Sequence, residues 1–332
     1  MACHRRVAMT VVLLLSGGAP EAIAEDPSKK FRTQDRCTKF EPTPGAPQMP
    51  VGYIFGFADP TDPGDPCTWE LTVETMLRTG KGDGRYTALN ASIEIAHTFT
   101  HNFAIAVSVY GAATHWSGVT AARSALADAG HPHVFDRIHR NAFDGASVEF
   151  FFRLFERRPN RPFALTLSIE PRWSSVDNIT GFRAHGYGSE IKMLADAVLS
   201  NGWYGAVNVG YALGTQRFII PGAPWERASA TLLAAGLATQ TYSSEKQFIE
   251  SIFVGTEVRY RALFNGLVLN QMLGHSLFAG PSLSIGFANE RMLSIAWAPQ
   301  VLGRSASGLG RFDLGNYERR EFRMKFSTPI GF

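Results

Sequence analysis

Three features of the sequence predict an all-β chain folded as a transmembrane antiparallel up-and-down β-barrel of about twelve strands. From Trp69 to the C-terminus, stretches of roughly ten residues alternate apolar and polar side chains, the period at which successive side chains point to opposite faces of a strand. The connections between these stretches alternate between short and long. No stretch after residue 24 approaches the ~20 apolar residues a membrane-spanning helix needs. Only helices and closed barrels satisfy every backbone polar group in lipid, so a membrane chain with this pattern must close its sheet on itself.

The 332 residues are 45% hydrophobic and 18% charged, a low charge content without long apolar runs. The N-terminus reads as a signal peptide over residues 1–24: His4, Arg5 and Arg6, an apolar run from Val7 to Leu15, then Ala22-Ile23-Ala24 as the cleavage site. Without it the chain keeps 30 Lys+Arg and 28 Asp+Glu, a balance that argues against a nucleic-acid partner. Cys3 leaves with the signal peptide. Cys37 and Cys67 remain, an even count in an oxidising compartment, and a disulfide between them is expected. Closing that loop contributes about 3–4 kcal/mol on the chain-entropy model.

Residues 25–68 form a Pro-rich periplasmic arm or plug, and 69–332 form the barrel. Within the arm, Val51 to Phe57 is an apolar, aromatic island. It suits either a short strand packed on the barrel mouth or a plug inside the lumen.

The first strand is read over Trp69–Arg78, with Glu70, Glu74 and Arg78 opposite an apolar face. The second, Arg85–Thr98, sets Glu94 opposite Leu89, Ile93 and Ile95, and the third is Phe103–Thr114. The fourth, Ser147–Phe155, directs Glu149 and Arg153 inward. The fifth, Phe163–Trp173, does so with Glu170 and Arg172, and the sixth, Tyr187–Leu199, with Glu190, Lys192 and Asp196. The ninth, Phe248–Arg261, contributes Glu257, Arg259 and Arg261. The seventh (Trp203–Thr215), eighth (Ala228–Thr241), tenth (Ser276–Phe287) and eleventh (Met292–Leu302) have small inner residues. The twelfth, Arg319–Phe332, places Phe322, Met324 and Phe326 on one face and Arg323 and Lys325 on the other.

With the N-terminus in the periplasm, every second connection is short, as at Thr100-His101-Asn102 and Ser200-Asn201-Gly202. The others are mostly long: 116–146, 174–186, 216–227, 262–275 and 303–315. The second of the outer loops holds a helix candidate, Val119–Ala129, stopped by Gly130-His131-Pro132. It either sits in that loop or folds into the lumen. Aromatics at strand ends (Trp69, Phe103, Phe163, Trp173, Trp203, Tyr204, Tyr260, Phe332) suit an interfacial girdle.

Alternation, short inner turns, longer outer loops and a terminal Phe332 together resemble the outer-membrane β-barrel proteins of Gram-negative bacteria. The resemblance is at the level of the class. It implies outer-membrane localisation, outer-membrane lipid around the apolar face, and Phe332 as part of the signal read by the barrel-insertion machinery. It implies no cofactor.

The inward charges are the main functional constellation. Closure would bring Arg323 and Lys325 beside Glu70 and Glu74. A wall of long charged side chains facing Gly, Ala and Ser leaves room for an aqueous path. A porin-like passive channel for small polar solutes is therefore expected; an internal lattice of ion pairs filling the barrel is the structural alternative. A structural or adhesive barrel acting through loop 116–146 and a surface hydrolase are the other readings. The hydrolase would need a Ser/His pair or Asp/His pairs at the rim, where His115, His131, His133, His139 and His275-Ser276 lie, but none sits in a recognisable motif. No metal site or catalytic set is read from the spacing, and a non-enzyme is expected.

Overall fold

The alternating stretches form twelve strands, each paired with its neighbours in sequence: β1 Trp69–Thr79, β2 Arg85–Thr100, β3 Phe103–Ser117, β4 Arg137–Phe155, β5 Phe163–Val176, β6 Arg183–Ser200, β7 Trp203–Phe218, β8 Glu226–Ser243, β9 Ile249–Asn265, β10 Gln271–Phe287, β11 Arg291–Ser305 and β12 Arg320–Ile330. This computed structural model describes residues 44–47, 49, 52–131, 135–200, 202–244, 247–306 and 311–331. The signal peptide, Cys37 and Phe332 lie outside the described residues. Cys67 is disulfide-bonded, and its expected pairing with Cys37 remains an expectation. Every neighbouring pair is antiparallel, and β1 pairs with β12 from Trp69↔Ile330 to Thr79↔Arg320, which closes the barrel and leaves no free edge.

Each strand exposes large apolar side chains on its outer face. Val73, Ile93, Val107, Phe152, Phe163, Ile191, Val207, Leu233, Val254, Leu283, Trp297 and Phe322 take the barrel once round, one from each strand. A continuous apolar band of this kind belongs in lipid. No described helix is long and apolar enough to cross a membrane. Aromatic rings run round part of the periplasmic end: His97 lies 4.3 Å from Trp69 and 4.5 Å from Phe99, and Phe103 lies 5.7 Å from Phe99 and 5.1 Å from Phe152. Tyr204 departs from the expected girdle. It turns inward, buried against Phe253 at 5.6 Å.

The strands reach further outward than the sequence pattern indicates. β4 begins at Arg137 rather than Ser147, β6 at Arg183 rather than Tyr187, and β10 at Gln271 rather than Ser276. Above the lipid the outer face of a strand meets water while its inner face packs beneath the loops, so the apolar-out, polar-in alternation fades while the backbone ladder continues. In β4 a register shift beside Gly145 (φ +136°) breaks the pattern further. A side chain at Gly145 would strike the carbonyl of Trp173. The outer connections, including the one that carries helix α1 (Thr120–Asp128), are correspondingly shorter than expected, except the first, 80–84, and that between β11 and β12.

The arm enters the barrel. Asp59 pairs with Lys192 of β6 and with Lys325 of β12, strands six places apart in a ring of twelve, so the arm lies between opposite walls. Residues 52–61 form no strand. Of the two readings of the apolar island, the structure shows the plug.

Candidate functional site

The small residues of β8, β10 and β11 make room for the arm. A Cβ on Gly56 would lie 2.5 Å from Cβ of Ala296, and one on Gly236 would overlap the Phe55 ring. Ser284 Oγ donates to the Ile54 carbonyl at 2.9 Å, and Ser294 Oγ donates to that of Tyr53. The space that the sequence suggests is free for solute is thus partly occupied by the chain's own N-terminal segment.

Two buried carboxylates hold the arm by its backbone. Glu257 accepts N–H bonds from Gly56 (2.8 Å), Phe57 (2.7 Å) and Ala58 (3.1 Å). Asp196 accepts from the Thr61 N–H (3.0 Å) and hydroxyl (2.7 Å) and is paired with Arg157. Arg153 is paired with Asp62 of the arm. These contacts satisfy donors that an irregular segment cannot pair within itself.

Between the arm and the remaining wall lies a chamber of about 300 Å³. It is lined by Glu70, Glu74, Glu94, Glu149, Glu170, Arg172, Glu190, Lys192, Arg259, Arg323 and Lys325, together with Tyr53 and Asp59 of the arm. A second cavity of about 270 Å³ contains Arg153, Asp196 and Trp69 and reaches the periplasmic end. Tyr53, Pro60, Asp62 and Glu70 line both cavities. Most cations of the chamber are already engaged. Arg323 forms a two-pronged pair with Glu74 (2.8 and 2.7 Å), Lys192 reaches Glu149 (3.0 Å), and Arg172 reaches Asp144 (2.8 Å). Arg259 and Arg261 share Glu321 at 2.7 and 3.4 Å, and Arg261 also covers the Tyr317 ring. Glu94 and Glu170 accept bonds only from hydroxyls, those of Ser108 (2.9 Å) and Tyr110 (2.8 Å).

Several of these partners are absent from the charges singled out on the strands. Asp59 and Asp62 are on the arm, Arg157 stands beside a periplasmic turn, and Asp144 adjoins the β4 irregularity. A sequence signal for the arm residues exists. Asp59-Pro60, Asp62-Pro63 and Asp65-Pro66 repeat every three residues, the period of the extended polyproline helix, which places equivalent side chains on one side.

The extracellular end is closed in two ways. Helix α1 packs on the inward-facing Tyr86, Trp116, Ile138 and Phe218, with Phe182 beside them. Its first backbone N–H, that of Thr120, donates to Asp83 at 2.9 Å. The helix therefore covers the lumen rather than standing apart from it. Beside it, Glu318 pairs with Arg78 (3.1 Å) and Lys81 (3.3 Å), and Arg78 also donates to the Asn178 carbonyl (3.0 Å). Burial alone would raise the Glu318 carboxyl, but Arg78 and Lys81 outweigh it and lower it from 4.5 to about 2. A depressed carboxylate contributes stability above its unfolded value that disappears as pH falls through the folded one. This brace should therefore weaken between pH 4.5 and about 2, with roughly 3 kcal/mol at stake. Proteolysis of loop 306–319 should accelerate across that window in the wild type. In Glu318→Gln it should already be fast at pH 7.

Among the described residues, the rim histidines fall into one His–His pair and separate aromatic contacts. His115 and His139 face each other across β3 and β4 on the exposed outer surface, Nδ1 to Nδ1 3.3 Å, and His275 lies against the Tyr260 ring. Ser276, next to His275, is fully buried. His133 lies outside the described residues. No group of three or more His, Cys, Asp or Glu suited to a metal ion occurs among the described residues.

A closed twelve-strand barrel, apolar on every outer face and ionic within, defines an outer-membrane β-barrel protein. Residues 52–329 match a family of unknown function, DUF6662, and the chain belongs to that family. The match begins within the arm, so the plug segment and the barrel share one family unit. No curated protein matches the sequence. Among solved structures, the chain is similar to the COG4313 outer membrane channel from Pseudomonas putida F1, with TM-score 0.50 and 9% identity over 88% of this chain and 100% of that one. It is also similar to the beta domain of the Bordetella autotransporter BrkA (TM-score 0.48, 7% identity, 80% and 100% coverage) and to LpxR from Salmonella typhimurium (0.41, 9%, 78% and 99%). At these identities the likeness is one of fold.

Proposed function

We propose that the protein is a narrow, non-enzymatic channel for small polar solutes, held shut by its own N-terminal arm. The observation that carries this reading is the polar chamber inside the barrel, with the periplasm-side cavity beside it across Tyr53, Pro60, Asp62 and Glu70. The arm that shares the lumen is irregular and is held by side chains of the wall rather than by the sheet ladder. The fold of the P. putida channel shows that a barrel of this architecture can surround a pore. Pure, folded full-length protein in a planar bilayer is expected to give small, discrete, short-lived currents. Silence from both the wild type and a variant with a loosened arm would remove the channel reading. It would favour a structural barrel, for which the dense internal ion pairing is the supporting observation.

A further inference from the structure

Asp59 reaches the middle of the lumen and is held there as a bound ligand would be. One carboxylate oxygen lies 3.4 Å from Lys192 Nζ, and the other is paired with Lys325 Nζ from the opposite wall. Asn208 takes the backbone of the same residue. With its amide oriented to satisfy both groups, it accepts from the Asp59 N–H at 2.5 Å and donates to the Asp59 carbonyl at 3.2 Å. The wall thus recognises a carboxylate and the peptide groups beside it, through residues on three separate strands. The chamber lies alongside the segment that the wall holds.

We infer that Lys192, Lys325 and Asn208 form a binding site for small amide-linked carboxylates, such as acyl-aspartate units and short acidic peptides, and that Asp59 occupies it as a built-in competitor. The inference rests on the channel reading for its physiological meaning, but the site can be tested without any ion flow. Arg323 and Glu74 neutralise one another alongside it, Glu149 shares Lys192, and Glu94, Glu170 and Glu190 line the same chamber, so the attraction for a carboxylate comes from the two ammonium groups at close range and not from an excess of positive charge. Carboxylates on the surrounding wall favour monocarboxylates over larger oligo-anions.

The probe is N-acetyl-aspartate amide, a copy of the bound residue, with N-acetyl-asparagine amide as its neutral isostere. Binding is measured by calorimetry on full-length protein folded in detergent, with heat-modifiable gel mobility confirming the closed barrel. Asp59→Ala should bind the acidic probe at least tenfold more tightly than the wild type and should prefer it tenfold over the neutral one. Adding Lys192→Gln should abolish that preference. If Asp59→Ala does not fold, the isosteric Asp59→Asn should give the same result. Equal binding of the two probes, or acidic-probe binding indifferent to residue 59, would overturn the inference. A barrel that binds selectively but never conducts overturns the channel reading alone. One that conducts but does not discriminate overturns only the site.

Discussion

Glu257→Ala should release the arm from the wall of the barrel. The carboxylate is almost wholly buried and accepts three backbone N–H bonds, from Gly56, Phe57 and Ala58. Removing it leaves those donors without partners in a desolvated site, where each orphan costs about 1–3 kcal/mol. The arm should respond by leaving rather than by bearing that cost, with its docking weakened on the order of 100-fold, the equivalent of about 3 kcal/mol. The expected readouts are rapid proteolytic cutting between residues 44 and 61 and a several-fold rise in single-channel conductance. Glu257→Gln keeps one oxygen acceptor and should lie between the two. An arm that remains protected in Glu257→Ala would show that the packing of Phe55 and Gly56 against β8 and β11 holds it without help.

Trp116→Ala should unseat the extracellular cover. Trp116 is fully buried at the centre of the helix cluster, and its Nε1 donates to the Thr180 carbonyl at 3.0 Å. Large-to-small changes of this kind cost about 3–5 kcal/mol. Because α1 rests on this side chain rather than on the barrel ladder, the loss should appear locally. Loop 118–136 should become protease-sensitive while the heat-modifiable gel shift of the barrel stays. Trp203→Ala is the comparison. That side chain is 43% exposed on the outer surface, so its removal opens no internal cavity and should leave loop 118–136 protected. Equal loop exposure in both variants would mean that α1 is not seated by Trp116.

The barrel was legible because lipid imposes a strict rule on one face of every strand. Val73, Ile93 and Val258 are apolar for that reason alone, and the period-two pattern follows. The ends of strands were less legible, since Arg137–Ala146 buries Ile138 and Asp144 on its inner face and exposes polar residues beside Phe143 on its outer one, and no single parity rule marks it. The inward charges could be identified by parity, but their pairing could not. Glu149 and Lys192 sit on different strands and meet through the barrel's curvature, and Glu257 was read as wall lining when its partner is a backbone 200 residues away. The arm was the hardest part. Its apolar island suits a strand as well as a plug, and only the Gly236 and Ala296 positions on distant strands say which space it fits.

The pairing of Asp59 with Lys325 also bears on the order of assembly. Lys325 is almost wholly buried, lies on the final strand, and has Asp59 as its only salt-bridge partner among the described residues. If β12 joined β1 over a lumen not yet holding the arm, that ammonium would face water and Glu74 across the seam in place of Asp59. The last strand therefore gains its buried ion pair only once the arm is inside, which ties the final seam of the barrel to a segment 266 positions earlier.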